Sequence, residues 1–202
     1  MKRIILAVAL FCFVFSSLSH AQYINRYKGY FGAEVGGFVP TESKINGIKQ
    51  NSGAEFGLKY TYYFNENVGI IARLSGVAWE TEKFKDISGK EHYFELTTTS
   101  LAIGLALRFP VSYALDFIAH GGVSANTNAY DYKVDSRSVA DDSGSAGGYF
   151  VDLGLRYYVS ERLTVGGLLR YTANNQEVDY GTKKETINWG GTSVLLEVGL
   201  VF

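Results

Sequence analysis

Eight segments of the chain alternate between apolar and polar residues, and this pattern constrains the fold more than any other feature. In the segment 149–159, Tyr149, Val151 and Leu153 alternate with residues such as Asp152 and Gly154. Successive side chains of a β-strand point to opposite faces, so a period of two predicts strands with one apolar face. The predicted strands are 30–39, 54–64, 68–79, 96–109, 114–126, 149–159, 163–173 and 191–202.

The connections between these segments alternate in length. The short ones are 65–67, 110–113 and 160–162, and the long, polar ones are 40–53, 80–95, 127–148 and 174–190. Short turns at one end and long loops at the other are typical of up-and-down barrels. The sequence therefore predicts an all-β fold, namely an eight-stranded antiparallel up-and-down barrel.

The make-up of the two faces predicts which of them points outward. The polar face is mostly Gly, Ser and Thr with few charges, which suits a crowded interior. The other face carries Leu, Val, Phe and Tyr over about ten residues or more, enough for a tilted strand to cross a bilayer. Aromatic residues gather near both strand ends, as in interfacial girdles. They are Tyr60, Tyr62, Phe64, Phe109, Tyr157 and Phe202 near the short turns, and Tyr93, Tyr149, Tyr171 and Trp189 near the long loops. We therefore expect a transmembrane barrel.

Composition fits this expectation and excludes one class of function. Hydrophobic residues make up 47% of the chain, yet its mean hydropathy is close to zero, because apolar and polar residues alternate. The formal net charge of −1 argues against a nucleic-acid-binding protein, which usually carries a large basic excess.

The N-terminus has the features of an export signal. Lys2 and Arg3 precede an apolar run that is too short to span a bilayer, and the small residues Ser19 and Ala21 follow it. We predict a signal peptide over residues 1–21 and a barrel domain over 22–202. The single cysteine, Cys12, would be removed with the signal, so no disulfide is expected in the mature chain.

The polar face also predicts a network of charges inside the barrel. Five acids, five bases and one histidine fall on it: Glu34, Glu55, Asp116, Asp152, Glu197, Lys59, Arg73, Arg108, Arg156, Arg170 and His120. Equal numbers suit a closed interior, because an unpaired charge away from water is strongly unfavourable.

Two groupings are expected within this network. One joins Glu34, Lys59, Arg73 and Glu197 near mid-height, and the other joins Arg108, Asp116 and Arg156 nearer the short turns. Alternatively, the many interior glycines leave room for a narrow pore, whose constriction Glu34, Arg73 and Arg108 would line.

With these features the chain resembles the small eight-stranded outer-membrane barrels of Gram-negative bacteria, the OmpA/OmpX-type and opacity-type porin-like group. The resemblance rests on the signal peptide, the eight alternating segments and a last strand that ends on an aromatic residue. It implies an outer-membrane location, periplasmic termini, extracellular long loops, and contact with lipids and lipopolysaccharide. It also implies that the last strand is the signal read by the outer-membrane assembly machinery, through Val194, Leu196, Val198, Leu200 and Phe202.

The function expected from this reading is structural and interactive. We predict a monomer that supports the envelope and contacts host or other extracellular ligands through loops such as 80–95 and 174–190. The same loops could instead be a solvated coat, and a narrow pore for small solutes is the main alternative function.

Catalysis and metal binding are not expected. Some barrels of this size are lipid A-modifying enzymes, which need a histidine near a serine and a carboxylate. His92 lies in a charged loop, and Asp116 and Ser124 are about 13 Å along the strand from His120.

The acidic residues of the third long loop match no calcium-binding spacing; they are Asp131, Asp135, Asp141 and Asp142. Residues 143–148 suggest a mobile loop, and we expect no cofactor.

Overall fold

A closed ring of eight antiparallel strands forms the computed structural model, which describes residues 28–42, 44–45, 48–179 and 184–202. The strands are β1 (Gly29–Pro40), β2 (Gly53–Tyr63), β3 (Val68–Glu80), β4 (Glu91–Pro110), β5 (Leu115–Val134), β6 (Arg137–Tyr158), β7 (Leu163–Asp179) and β8 (Gly191–Val201). Each strand pairs with the next, and β8 pairs with β1. The predicted barrel is confirmed. The predicted signal peptide lies outside the described residues.

Three tight turns and the last residues of the chain share one end of the barrel, called here the turn end. In each turn an amide bonds a carbonyl four residues later in the chain: Phe64 to Val68 at 2.9 Å, Val111 to Leu115 at 2.8 Å, and Val159 to Leu163 at 2.9 Å. Gly29 and Phe202 pair at the same end. The opposite end is called the loop end. In the described residues, no helix is long and apolar enough to cross a membrane.

The predicted loop 127–148 is wrong, because β5 and β6 continue through it as a paired hairpin. They meet at Asp135 and Ser136, whose φ angles of 47° and 64° are those of a tight two-residue turn. A register shift occurs between Tyr132 and Lys133. The segment is polar on both faces, so it lacks the apolar alternation by which the other strands were recognised. Backbone hydrogen bonds nevertheless hold it as a strand.

The connection between β1 and β2 folds back against the loop end. It contains two short paired strands, Lys44–Ile45 and Ile48–Lys49. The amide of Thr41 donates to Gly190 O at 3.0 Å, and Trp79 Nε1 donates to Gln50 Oε1 at 2.6 Å. Two other short strands, Phe84–Lys85 and Lys184–Asn188, extend β4 and β7 by pairing with them.

The two faces of the barrel wall differ as the alternation predicts. Outward side chains such as Phe56, Val194 and Leu196 are about two-thirds exposed in the isolated chain. Aromatic pairs lie near both ends, including Tyr60 with Phe202 and Tyr149 with Tyr171, and these fit interfacial girdles.

Two members of the predicted loop-end girdle lie elsewhere. Trp189 is buried at the mouth of the barrel with Phe38, Trp79 and Leu96. Tyr93 is buried beneath the Lys83 ammonium, which lies 4.7 Å from its ring centroid. Neighbouring rings cover Trp189 and the Lys83 side chain covers Tyr93, and the sequence pattern does not show these contacts.

Candidate functional site

The structure places all eleven predicted lumen residues inside the barrel, each at most 3% exposed. They occupy the inward positions of all eight strands. Neighbouring inward positions are often glycine, which leaves room for long side chains to cross the lumen.

Arg170 on β7 makes the largest set of ion pairs in the lumen. Its Nη2 donates to Glu34 Oε1 at 2.7 Å, and its Nη1 donates to Glu55 Oε1 at 2.5 Å. Its Nε donates to Asp152 Oδ1 at 2.8 Å. The Ser193 hydroxyl also donates to Glu55. Arg170 therefore connects its own strand to β1, β2 and β6 across the barrel.

Asp152 extends these contacts to the opposite wall. Arg73 Nη1 lies 3.2 Å from Asp152 Oδ2, and the Arg73 guanidinium carbon lies 4.2 Å from the centroid of the Phe150 ring. His120 Nδ1 lies 3.3 Å from the same carboxylate oxygen. One carboxylate thus holds two arginines and a histidine.

A second branch of contacts leads toward the turn end. Lys59 Nζ lies 3.5 Å from Glu34 Oε2 and also pairs with Glu197. Arg156 Nε donates to Glu197 Oε1 at 3.0 Å, and the Tyr30 hydroxyl donates to the same oxygen at 2.5 Å. Through these contacts four acids and four bases of the described lumen form one connected cluster.

The groupings within the network differ from those expected. Arg73 bonds Asp152 rather than the Glu34–Glu197 group, and Arg156 joins Glu197 although its cross-strand neighbour is Asp116. The expected groupings took the height of each charge in the lumen from its distance along the strand to the short turns. Barrel strands are tilted and staggered, so that distance does not give the height in the lumen.

Near the turn end, Arg108 and Asp116 also contact neutral groups. Arg108 Nε donates to Glu66 O at 2.8 Å, and its guanidinium carbon lies 4.2 Å from the centroid of the Tyr63 ring. Asp116 Oδ2 accepts a hydrogen bond from the Tyr158 hydroxyl at 2.5 Å. The sequence reasoning missed these tyrosines, as it missed Tyr30 and Ser193, because it searched the lumen face for charges only.

The residues considered for catalysis and for metal binding have other roles. His92 Nε2 lies 3.2 Å from Asp86 Oδ2, and its Nδ1 lies 2.5 Å from the Tyr132 hydroxyl. Asp131 accepts from Ser138, and Asp135 accepts from the Glu91 amide. Across the part of the chain that the structure describes, no three His, Cys, Asp or Glu residues are grouped as metal ligands.

Asp86 organises the connection between β3 and β4 outside the barrel wall. Its Oδ1 accepts from the Ser88 hydroxyl at 2.7 Å, the Ser88 amide at 2.8 Å and the Lys90 amide at 3.0 Å. Together with the contact to His92, and with the Ser88 hydroxyl contributing most, these bonds hold the pKa of the Asp86 carboxyl well below its usual range.

A second surface lies where β6 rises beyond the closed barrel. Pairing between β6 and β7 ends at Gly148 and Asn174, so no strand among the described residues pairs with that edge of β6 above Gly148. Odd-numbered residues of β6 point their backbone groups toward β7, as Val159 does when it donates to Leu163. Ser145 therefore presents its backbone amide and carbonyl at an open, solvent-exposed edge.

The last strand carries the predicted assembly signal on its outer face. Val194, Leu196, Val198 and Leu200 alternate outward and are more than half exposed. The Phe202 ring centroid lies 6.2 Å from that of Tyr60. These residues form an apolar stripe that ends at the turn end of the barrel.

Comparison with known proteins agrees with this architecture. The family model described as "Outer membrane protein beta-barrel domain" matches residues 7–200. The sequence matches none of the curated proteins.

Three solved structures illustrate the likeness in fold. The outer membrane protein OprG from Pseudomonas aeruginosa is 16% identical with a TM-score of 0.64, over 88% of this chain and 97% of that one. Neisserial surface protein A is 13% identical with a TM-score of 0.56, over 86% and 97%. A major outer membrane protein from Thermus thermophilus is 11% identical with a TM-score of 0.52, over 86% and 99%. At such identities the likeness shows the fold alone.

Proposed function

Because the chain belongs to the outer membrane protein β-barrel domain family, we propose that it is a non-enzymatic surface protein of the outer membrane. Its barrel body is closed by the lumen charges and contributes to envelope structure. Its β5–β6 hairpin contacts extracellular ligands, including host surfaces. The termini and the turn end face the periplasm, and the loop end faces outward.

The observation that carries this proposal is the open edge of β6. An unpaired strand edge is a template for pairing with another chain, and proteins usually protect such edges with charged side chains, proline or bulges. Between Ser143 and Gly147 the edge has none of these, and its side chains are small. The tight turn at Asp135 and Ser136 connects the two strands, which stay paired on both sides of the register shift at Tyr132 and Lys133.

The lumen supports the structural part of the proposal. Arg170 spans the barrel between Glu34, Glu55 and Asp152, all of them buried. A conducting path would have to separate these ion pairs, and removing one partner of a buried pair typically costs about 3–5 kcal/mol. His120 is bonded to Asp152 and is buried with it among the lumen charges.

Two further partners follow from the family and the outer surface. The exposed apolar band contacts outer-membrane lipids and lipopolysaccharide. The outward stripe that ends at Phe202 serves as the signal to the outer-membrane assembly machinery. We propose a monomer as the working form.

The decisive experiment blocks the edge without altering the barrel. Bacteria that display the Ser145→Pro variant should bind host cells or extracellular matrix several-fold less than bacteria with the unchanged protein. Proline removes the backbone donor at 145 and obstructs pairing there. The matched control is Ser138→Pro in the same hairpin. Ser138 pairs with Lys133, on the turn side of the register shift. It tests whether any proline in the hairpin has the same effect.

Equal binding by Ser145→Pro and unchanged bacteria, at equal surface levels, would contradict adhesion through this edge. The pore alternative is tested separately with the purified barrel in planar bilayers. We expect no steady conductance, and a stable open-channel current would overturn the closed lumen.

A further inference from the structure

The seam between β1 and β8 places two acids directly against each other on the lumen side. Glu34 and Glu197 are cross-strand neighbours, and both side chains are buried. Gly29 and Phe202 exchange both backbone hydrogen bonds, so the alternation along the seam makes Glu34 and Glu197 a non-hydrogen-bonded pair. Side chains approach most closely in such pairs. Like charges in this position oppose the pairing of their strands.

Lys59 on β2 compensates this repulsion. Its ammonium lies 3.5 Å from Glu34 Oε2 and also pairs with Glu197. The other bases bind one acid each, since Arg170 pairs with Glu34 and Arg156 pairs with Glu197. Among the ion pairs of the described residues, Lys59 alone contacts both acids of the seam. The shared cation therefore comes from the strand that pairs with the other edge of β1.

Tyr30 adds a neutral contact across the same seam. Its hydroxyl donates to Glu197 Oε1 at 2.5 Å, from β1 to β8. The hydroxyl lies over Gly32 and Gly199, which are cross-strand neighbours, and a Cβ atom at either glycine would overlap it. The seam cluster is the name used here for Tyr30, Glu34, Lys59 and Glu197.

The contacts of the seam cluster differ in how far apart their residues lie in the chain. Lys59 and Glu34 belong to the hairpin of β1 and β2, so they meet when that hairpin has its final register. Glu34 and Glu197 lie near opposite ends of the chain, and pairing such distant segments carries the larger loop-closure cost. Closure of the barrel is therefore expected to follow formation of the hairpin. A hairpin in another register would not hold Lys59 beside Glu34.

We propose that the seam cluster makes closure of the barrel depend on the register of the β1–β2 hairpin. With Lys59 in its place, the two acids share a cation and β8 pairs with β1. Without Lys59, the two acids repel each other away from bulk water, where such repulsion is strong, and the strands stay apart. Lys59 thus positions the last strand of the barrel in addition to stabilising the lumen.

The test measures the pairing of β1 with each of its neighbours separately, through disulfides between outward-facing cysteines. In a Cys12→Ser background, Val35→Cys with Leu196→Cys reports the seam, and Ala33→Cys with Leu58→Cys reports the hairpin. All four positions are exposed on the outer face. The full chain is refolded into lipid vesicles, and the cross-linked fraction at a fixed time is read from a non-reducing gel.

Lys59→Met should lower the seam cross-link by about tenfold or more and leave the hairpin cross-link nearly unchanged, because removing one partner of a buried ion pair is strongly unfavourable. Adding Glu197→Gln removes the repulsion but keeps an acceptor for Tyr30, so it should restore the seam cross-link. The matched control is Arg73→Met, which removes a lumen base that bonds Asp152 instead. Glu197→Gln should not reverse any loss that this control causes.

Two results would overturn the proposal. One is an unchanged seam cross-link in Lys59→Met, and the other is equal rescue of Lys59→Met and Arg73→Met by Glu197→Gln. Should Lys59→Met lose both cross-links, their restoration by Glu197→Gln supports the proposal, and a failure to restore them contradicts it.

Discussion

Within β6, residues 149–158 and residues 137–147 belong to one strand but have different surroundings. The lower part pairs with β5 and β7, and its inward side chains Asp152 and Arg156 are buried in ion pairs. The upper part pairs with β5 alone, and most of its side chains are exposed. The two parts are called the closed segment and the open segment.

The difference shows how one strand serves stability and recognition at once. In the closed segment every backbone group needs a partner, since lipid offers none. Each inward charge also needs its counter-charge, because a buried unpaired charge is costly. Most side chains of the open segment are exposed and one edge is unpaired among the described residues, so both constraints are weaker there. Changes in the closed segment should therefore affect folding, and changes in the open segment should affect binding.

The largest effect is expected from breaking the lumen cluster at its most connected residue. Arg170→Met leaves Glu34, Glu55 and Asp152 without their shared partner. We expect a loss of about 3–5 kcal/mol in the free energy of unfolding, measured by urea titration of the barrel in lipid vesicles. Arg137→Met, on the exposed part of β6, is the control and should have no measurable effect. A loss below about 1 kcal/mol for Arg170→Met would show that the cluster does not stabilise the barrel.

A pair of proline substitutions tests the two segments directly. The amide of Val151 points toward Tyr171 on β7, whereas that of Ser145 points to the open edge. Val151→Pro should cost about 3 kcal/mol or more, because it removes a ladder bond and obstructs the closure of the barrel. Ser145→Pro should leave the free energy of unfolding nearly unchanged. Similar losses for both variants would mean that β6 is equally constrained along its whole length.

A smaller effect is expected from one neutral partner of the cluster. Tyr30→Phe removes the hydroxyl that donates to Glu197 and leaves the ring beneath Arg156 in place. The expected loss is about 1.5–3 kcal/mol, the usual range for a hydrogen bond to a charged group. Tyr149→Phe, which removes an outward hydroxyl, is the control. An equal loss in both variants would contradict a specific role for the Tyr30 hydroxyl.

The smallest effect concerns the connection between β3 and β4. Ser88→Ala removes the hydroxyl that contributes most to lowering the pKa of Asp86, so that pKa should rise toward its usual value of about 3.9. The pKa is depressed in the folded state. Its stabilising contribution is therefore present above the unfolded value and is lost as the pH falls through the folded value.

An NMR titration of the Asp86 carboxyl between about pH 1 and pH 6 measures this shift, in a range that brackets the usual pKa. Ser160→Ala, at the turn end, is the control and should leave the titration of Asp86 unchanged. No shift in the Ser88→Ala variant would show that the amide bonds of Ser88 and Lys90 suffice.

Particular residues show how far the sequence could predict the site. The period of two predicted that Arg170 and Asp152 face inward, because residue parity alone sets the side of a strand. It did not predict that Arg73 bonds Asp152. Following the backbone register from Arg73 leads through Ala102 and Ser124 to Gly148, four residues away from Asp152. The tilt of the strands produces this offset.

The loop end shows the other limit of prediction. The polar stretch that ends at Gly148 carries no apolar alternation, so nothing local distinguished a hairpin from a loop. Trp189 and Tyr93 belong to strand ends where girdle residues are expected, yet both are buried in the folded protein. Contacts between segments distant in the chain decide such cases.

The sequence by itself determined the number of barrel strands, their up-and-down order, and which side chains face the lumen and which face lipid. These properties follow from local periodicity and connection length. Only the tertiary structure decided which charges pair and where β6 loses its second neighbour. Those features depend on the tilt, stagger and closure of the barrel, which bring together residues from strands far apart in the chain.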